Sequence, residues 1–250
     1  IDTHTYNYNN FKNNNKVKKI KKILDLKWSS ESIIFLNIGH INENKNQIYL
    51  INQLKLLPNK YKLIIIGPTY EEDRYYFNKL NEVINSNNLN NRILLIDKYQ
   101  KNISEYYLLS DIFVLPSKME GFGNVILEAL AMGLPVLANK IEGVTDTIIE
   151  DKVNGHLFDI NKNNFLESLK NCENLLNKKK YISESFFKKY NIESLISEYI
   201  NIYTNKKPIN ILAIDIEGGW GGSSKSLYNL INKSVSPKKN FTIICKAHGP

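Results

Sequence analysis

Short apolar runs alternate with longer amphipathic stretches along most of this chain. Ser32-Ile-Ile-Phe-Leu-Asn-Ile38 reads as a buried strand ending at Gly39, and a helix is expected from about Asn46 to Leu57. Lys62–Ile66 stops at Gly67-Pro68 and leads into a helix over 71–84, while Arg92–Ile96 leads into a short helix over 103–109. A strand over Ile112–Leu115, a helix over Gly123–Met132 and a strand over Pro135–Ala138 follow, the proline standing where a strand start tolerates it. Alternation of strands and helices implies parallel pairing through right-handed crossovers. The expected fold is therefore α/β, a doubly wound, Rossmann-like parallel sheet. From Phe165 to Tyr203 the pattern is mostly helical with one polar face.

Near Pro208 the pattern restarts. Ile209–Asp215 reads as a fresh strand, followed by the loop Glu217-Gly-Gly-Trp-Gly-Gly-Ser223, a helical run to about Ile231 and a strand over Phe241–Cys245. Two domains are expected, 1–207 and a short βαβ piece at 208–250. Gly219-Trp-Gly-Gly-Ser-Ser224 lacks the third glycine of a dinucleotide fingerprint, so it does not specify a cofactor. Towards the other end, Lys16–Lys27 concentrates basic charge on a helical pattern with Val17, Ile20, Ile23 and Leu24 on one face. That face suits core packing, and such helices also make peripheral contacts with anionic membranes.

Composition narrows the classes. The 250 residues are 42% hydrophobic and 23% charged, as in ordinary globular proteins. No apolar run approaches a membrane span, and no signal-peptide pattern opens the chain. Cys172 and Cys245 are far apart in apolar-patterned segments, which fits a reducing cytoplasm better than a disulfide framework. The net charge of +8 comes from lysine spread throughout, without the aromatic–basic interleaving of a single-strand binder, so no nucleic-acid partner is expected. His4, His156 and His248 are scattered and define no metal triad, and no metal is expected.

The chemistry concentrates in Glu120-Gly-Phe-Gly-Asn-Val-Ile-Leu-Glu128, two carboxylates with seven residues between them. The first falls on a loop after the Ile112–Leu115 strand and the second inside the helix beyond it. Ligands of open α/β sheets bind at the carboxyl edge. Gly121 and Gly123 allow close backbone approach, and the free N–H groups of a helix start suit a phosphate. A glutamate near a helix start also simply opposes the dipole. The pair, however, places two acceptors for sugar hydroxyls around an anion site. Asp146, at another expected helix start, reads as an N-cap.

The run Pro116-Ser-Lys-Met-Glu-Gly-Phe-Gly-Asn-Val-Ile-Leu-Glu-Ala-Leu-Ala-Met-Gly-Leu-Pro-Val-Leu-Ala138, then Glu142-Gly-Val-Thr-Asp146 and Asn154-Gly-His-Leu-Phe158, closely resembles the donor-binding domain of retaining GT-B glycosyltransferases, the large family four. The resemblance extends from Ile1 to about Lys207. Ile1-Asp2 resembles the end of that family's inter-domain turn, and the segment after Pro208 resembles the start of an acceptor-side domain. The chain thus reads as a segment of a protein with tandem units, expected to bind donor without transferring it alone.

The resemblance implies a nucleotide-activated sugar as donor and a glycan or lipid-linked acceptor. It also implies a role in cell-surface polysaccharide biosynthesis, at the inner face of the membrane or in the cytoplasm, with no resident cofactor. It assigns the diphosphate to His40, Lys45 and the Gly123, Asn124 and Val125 backbone, with Phe122 beside them. Glu128 takes the ribose, Glu120 the donor sugar, and Gly67 and Tyr99 flank the base. His40 stands where the family usually has Arg, and Asp97 where it often has Gly. Two other readings are a non-catalytic nucleotide-sugar-binding remnant and a nicotinamide-dependent Rossmann enzyme. Against the latter, the first strand ends in Gly39-His-Ile-Asn rather than a glycine fingerprint.

Overall fold

Runs of branched aliphatic residues bounded by glycine and proline build the strands. The computed structural model describes residues 1–2, 5–11, 22, 28–190, 196–201, 210–215 and 240–245. Contacts divide the chain into two units, Ile1–Phe186 and Phe187–Pro250. In the first, β1 (Ile33–Ile38), β2 (Tyr61–Ile66), β3 (Ile93–Ile96), β4 (Ile112–Leu115), β5 (Val136–Asn139) and β6 (Gly155–Phe158) form one sheet in the order β3-β2-β1-β4-β5-β6. Every pairing is parallel. The intervening helices are α1 (Gln47–Leu56), α2 (Arg74–Ser86), α3 (Ser104–Leu109), α4 (Asn124–Ala131) and α5 (Thr145–Ile148), with α6 (Phe165–Glu173) and α7 (Lys179–Lys189) after β6.

The expected doubly wound α/β fold is what forms. β4 is buried along its whole length, and Phe35, Leu63, Ile65, Ile112 and Val114 share one core with Leu50, Ile51 and Leu54 of α1. Fully burying each such side chain stabilises the fold by about 1.5–3 kcal/mol. Tyr49, Phe158 and Phe165 extend this core as an aromatic cluster, with Tyr49 stacked on Phe158 at 5.7 Å.

Three details depart from the sequence pattern. The helix expected over 71–84 begins as a 3₁₀ turn, Glu71–Asp73, and becomes α-helical only at Arg74. β6 was hidden because Gly155-His-Leu-Phe158 opens on residues that do not read as a strand. Asp146 is not an N-cap: it lies inside α5 after the capping position Val144, and its Oδ1 is buried without a hydrogen-bond partner among the described residues.

In the second unit β7 (Asn210–Asp215) and β8 (Asn240–Cys245) pair in parallel, as a βαβ unit requires. The basic stretch 16–27, apart from residue 22, lies outside the described residues, as do the glycine loop 217–223 and the helical run to 231. No helix among the described residues is long and apolar enough to cross a membrane.

Candidate functional site

Strand order reverses between β1 and β4. The chain leaves β1 for β2 on one side and leaves β4 for β5 on the other, so a crevice opens beyond their carboxyl ends. The loops after the two strands are sewn together by asparagines. The Asn44 carbonyl accepts from the Lys118 amide at 2.8 Å, and its side chain both accepts from the Met119 amide and donates to the Met119 carbonyl, at 3.0 and 3.1 Å. Asn46, in the left-handed conformation before α1, reaches the Pro116 carbonyl at 3.3 Å. Between these two anchors Lys45 extends to Glu120, Nζ to Oε1, at 2.6 Å. The Glu120 side chain is only 8% exposed.

The neighbouring loop ends are equally constrained. A Cβ on Gly67 would lie 1.8 Å from the Gly39 carbonyl oxygen, so only glycine lets the ends of β1 and β2 approach this closely. His40 sits beyond Gly39 with its Nε2 3.1 Å from the Tyr70 hydroxyl and the two rings edge to face at 4.6 Å. Burial, followed by the Lys45 ammonium, lowers the His40 pKa below the ordinary 6.5, against a smaller pull from Asp73 and Glu72. Asp97 has a structural use: its carboxylate accepts from the Thr69 amide at 2.7 Å and pairs with Arg74 at 3.1 Å. That contact fixes the loop after β2, a function glycine could not serve.

α4 starts abruptly. Gly123 adopts φ 74 and ψ 41, a left-handed capping conformation that a side chain would strain, and its carbonyl accepts from the Ile126 amide at 2.8 Å. The helix itself offers no acceptor to its first amides, those of Asn124 and Val125, which open towards the crevice edge. Gly121 is different: open space surrounds it. Phe122 and Tyr99 present their rings at the surface, 63% and 76% exposed.

Glu128 lies one turn further along α4. The Tyr107 hydroxyl donates to its Oε2 at 2.9 Å, and Tyr6 stands close enough for the carboxylate's charge to act on its phenol. Tyr107 is fully buried on α3, and Tyr6 meets it edge to face at 6.0 Å. Burial, followed by the Glu128 charge, raises both phenols' pKa values, so both hydroxyls remain donors at neutral pH. Sequence reasoning missed Asn44, Asn46, Tyr70, Tyr107 and Tyr6, whose roles exist only through contacts distant along the chain. His40, Lys45, Gly67, Glu120, the α4 start and Glu128 all line the β2–β1–β4 carboxyl edge. A cavity of about 190 Å³ on the flank of the same loops is lined by Glu43, Asn46, Tyr75, Tyr76, Lys79 and Lys118.

Comparison with known proteins adds an independent line. Residues 18–197 match the family model described as glycosyl transferases group 1. An uncharacterised glycosyltransferase of Methanocaldococcus jannaschii is 40% identical over 111 residues, covering 43% of this chain and 26% of that protein. The Escherichia coli UDP-Gal:alpha-D-GlcNAc-diphosphoundecaprenol alpha-1,3-galactosyltransferase is 30% identical over 147 residues, 56% of this chain and 36% of that enzyme. Among solved structures, Anabaena Alr3699/HepE in complex with UDP and glucose has a TM-score of 0.64 at 21% identity, covering 80% of this chain and 55% of that one. At that identity the likeness concerns the fold. The chain spans from about a quarter to a little over half of the length of these proteins.

Proposed function

The chain belongs to the glycosyl transferases group 1 family, and from that membership we propose that it binds a nucleoside-diphosphate sugar along the β1–β4 edge for transfer, with retention, to a glycan or lipid-linked acceptor. The observation that carries the reading is the meeting of Lys45, Glu120, the α4 start and Glu128 at the switch point of the sheet. Names of similar proteins support the substrate classes: the Escherichia coli relative uses UDP-Gal and a diphosphoundecaprenol-linked sugar, and the Anabaena structure holds UDP and glucose. Family membership also sets the nicotinamide alternative aside.

In this reading the diphosphate lies over the Gly123, Asn124 and Val125 backbone, with Lys45 and His40 beside it and Phe122 at its rim. Glu128 accepts from the ribose hydroxyls, and Glu120 from hydroxyls of the donor sugar. Gly67 and Tyr99 border the base. Departure of the diphosphate leaves an oxocarbenium-like sugar, and neutralising the departing charge is the main demand on the site. Lys45 and the helix amides meet that demand, with no resident cofactor or metal assigned.

Donor binding costs Lys45 part of its bond to Glu120. The diphosphate offers the ammonium a stronger anion, and the released carboxylate then finds the sugar hydroxyls. The site would exchange one set of charge-assisted bonds for another rather than expose a naked charge.

A second reading, a nucleotide-sugar-binding module without catalysis, draws on the His40–Tyr70 pairing, since an exposed imidazole held by a phenol makes a weaker clamp than Arg. Measurable sugar transfer would remove it. A thermal-shift panel of nucleoside diphosphates and their sugars tests the main reading, because a ligand of the folded state raises apparent stability. At least one diphosphate is expected to raise Tm; a flat panel would contradict the assignment.

A further inference from the structure

A second cavity, of about 210 Å³, is lined by Lys152, His156, Asn171, Asn174, Leu175 and Lys178. His156 stands in the amino-terminal half of β6, and Lys152 precedes that strand, so the cavity lies towards the opposite edge of the sheet from the crevice beyond β1 and β4. Its fixed point is a buried histidine. The His156 side chain is 6% exposed, and its Nδ1 is paired with the Asp151 carboxylate. Nε2 is the ring nitrogen left for a ligand, and no described residue hydrogen-bonds it. The Lys152 and Lys178 ammonium groups make no ion pair among the described residues. Lys152 also holds φ 62, a left-handed backbone that glycine or asparagine adopts with less strain, so this turn keeps a cation where its geometry favours a neutral residue.

Two unpaired cations beside a buried, oriented imidazole suit an anion that can share a proton. Asp151 takes the Nδ1 proton and leaves the Nε2 lone pair for the ligand. Two features oppose an anion here, and both are muted. Asp151 is 65% exposed, so water screens its charge, and the Asn171 and Cys172 carbonyls at the end of α6 already accept from the Asn174 and Leu175 amides. A phosphomonoester keeps its last acid proton until about pH 6. Near neutrality one proton, brought by the ligand or taken from water, can lie between Nε2 and a phosphate oxygen. We propose that this cavity is a second binding site, for a phosphomonoester, with the anionic oxygens on Lys152 and Lys178 and a proton shared with His156 Nε2. Asn171 and Asn174 supply neutral donors at its rim. The site goes beyond the donor reading and is independent of it.

The same chemistry occurs on inorganic phosphate, on soluble monoesters such as a sugar phosphate, and on the headgroup of phosphatidic acid. Each lysine contributes a charge-assisted bond at a partly wet site, so Lys152→Met and Lys178→Met should each weaken phosphate binding about three- to tenfold. His156→Gln keeps a polar side chain but cannot take the shared proton, and should weaken it about tenfold. Sulfate, alike in shape but without an acid proton near neutrality, should bind severalfold more weakly than phosphate. A merely structural role for His156 would not separate the two anions.

The test is a titration of the 250-residue chain with inorganic phosphate and with sulfate at matched ionic strength, read on the histidine Cε1 protons by NMR. The signal missing from His156→Gln identifies His156. A saturable shift of that signal by phosphate, weaker with sulfate and weaker in both lysine variants, supports the proposal. An unmoved His156 signal, equal response to the two anions, or parent-like binding by both lysine variants overturns it. So does a response confined to the His40 signal, which would put the anion at the donor edge. Flotation with phosphatidylcholine vesicles, with and without phosphatidic acid, separates the sources: capture that needs phosphatidic acid and both lysines supports a lipid headgroup, and phosphate binding without capture supports a soluble monoester. Should His156→Gln fail to fold, calorimetry of phosphate binding by Lys152→Met and Lys178→Met, both at exposed positions, decides.

Discussion

At one end of the Glu120–Glu128 segment a carboxylate meets a cation; at the other a carboxylate accepts from a buried phenol. The Lys45–Glu120 pair bridges two loops held by Asn44 and Asn46, whereas Glu128 accepts from the buried Tyr107 of α3. Lys45 is the counter-ion a diphosphate would claim, and the Tyr107 phenol is a hydroxyl like those of a ribose. The difference teaches that the loop end should respond to charge and salt, and the helix end to hydrogen-bond geometry.

The largest effect is expected from Glu128→Ala. Losing a charged acceptor for the ribose costs about 1.5–3 kcal/mol, roughly 10- to 150-fold in diphosphate affinity by calorimetry. The Tyr107 hydroxyl would also lose its carboxylate, so melting should show lower stability and binding must be compared on folded protein. Parent-like affinity would break the comparison at its helix end.

Next comes Lys45→Met, which should weaken diphosphate binding about tenfold at low salt. A titration in ionic strength is the sharper readout, because exposed charges are screened within about 10 Å at 0.1 M salt. The parent's affinity should fall with salt and the variant's much less. Equal salt slopes would mean that Lys45 does not face the phosphates.

The smallest effect belongs to His40→Arg, a severalfold tightening at neutral pH. Burial and Lys45 depress the His40 pKa below the ordinary 6.5, so the imidazole is neutral at pH 7. The unfolded chain therefore takes up this proton first, and the His40 contribution to stability is present above the ordinary 6.5 and lost as pH falls from there through the lower folded value. A bound diphosphate favours the protonated ring, so the parent's affinity should gain as pH falls from about 7.5 to 5.5. The Arg variant, charged throughout, lacks that gain. Matching pH profiles would place His40 away from the diphosphate.

Much of this site was legible because its parts are local. The Ile112–Leu115 run, its terminal proline, the Gly123 cap and the two glutamates fall within one continuous stretch, and strand–loop–helix geometry places them without tertiary information. The sheet was legible for the same reason, since its strands are short apolar runs separated by helical patterns. What escaped depends on distant pairing. Tyr107 in its expected short helix says nothing of Glu128, and Tyr6 still less. Asn44 and Asn46 read as ordinary polar loop residues until the β1 and β4 ends lie side by side. Asp97, a departure from the family pattern, gains its meaning only from Thr69 and Arg74.

The central claim is that the two glutamates divide the donor between them, and Glu120→Gln tests it most directly. Affinity is measured for a bare nucleoside diphosphate and for its sugar conjugate, in this variant and in Glu128→Gln. Removing the Glu120 charge frees Lys45 for phosphate, so bare-diphosphate binding should be undiminished while the preference for the sugar conjugate falls. Glu128→Gln should weaken both ligands alike. Equal loss of bare-diphosphate binding in the two variants would contradict the division.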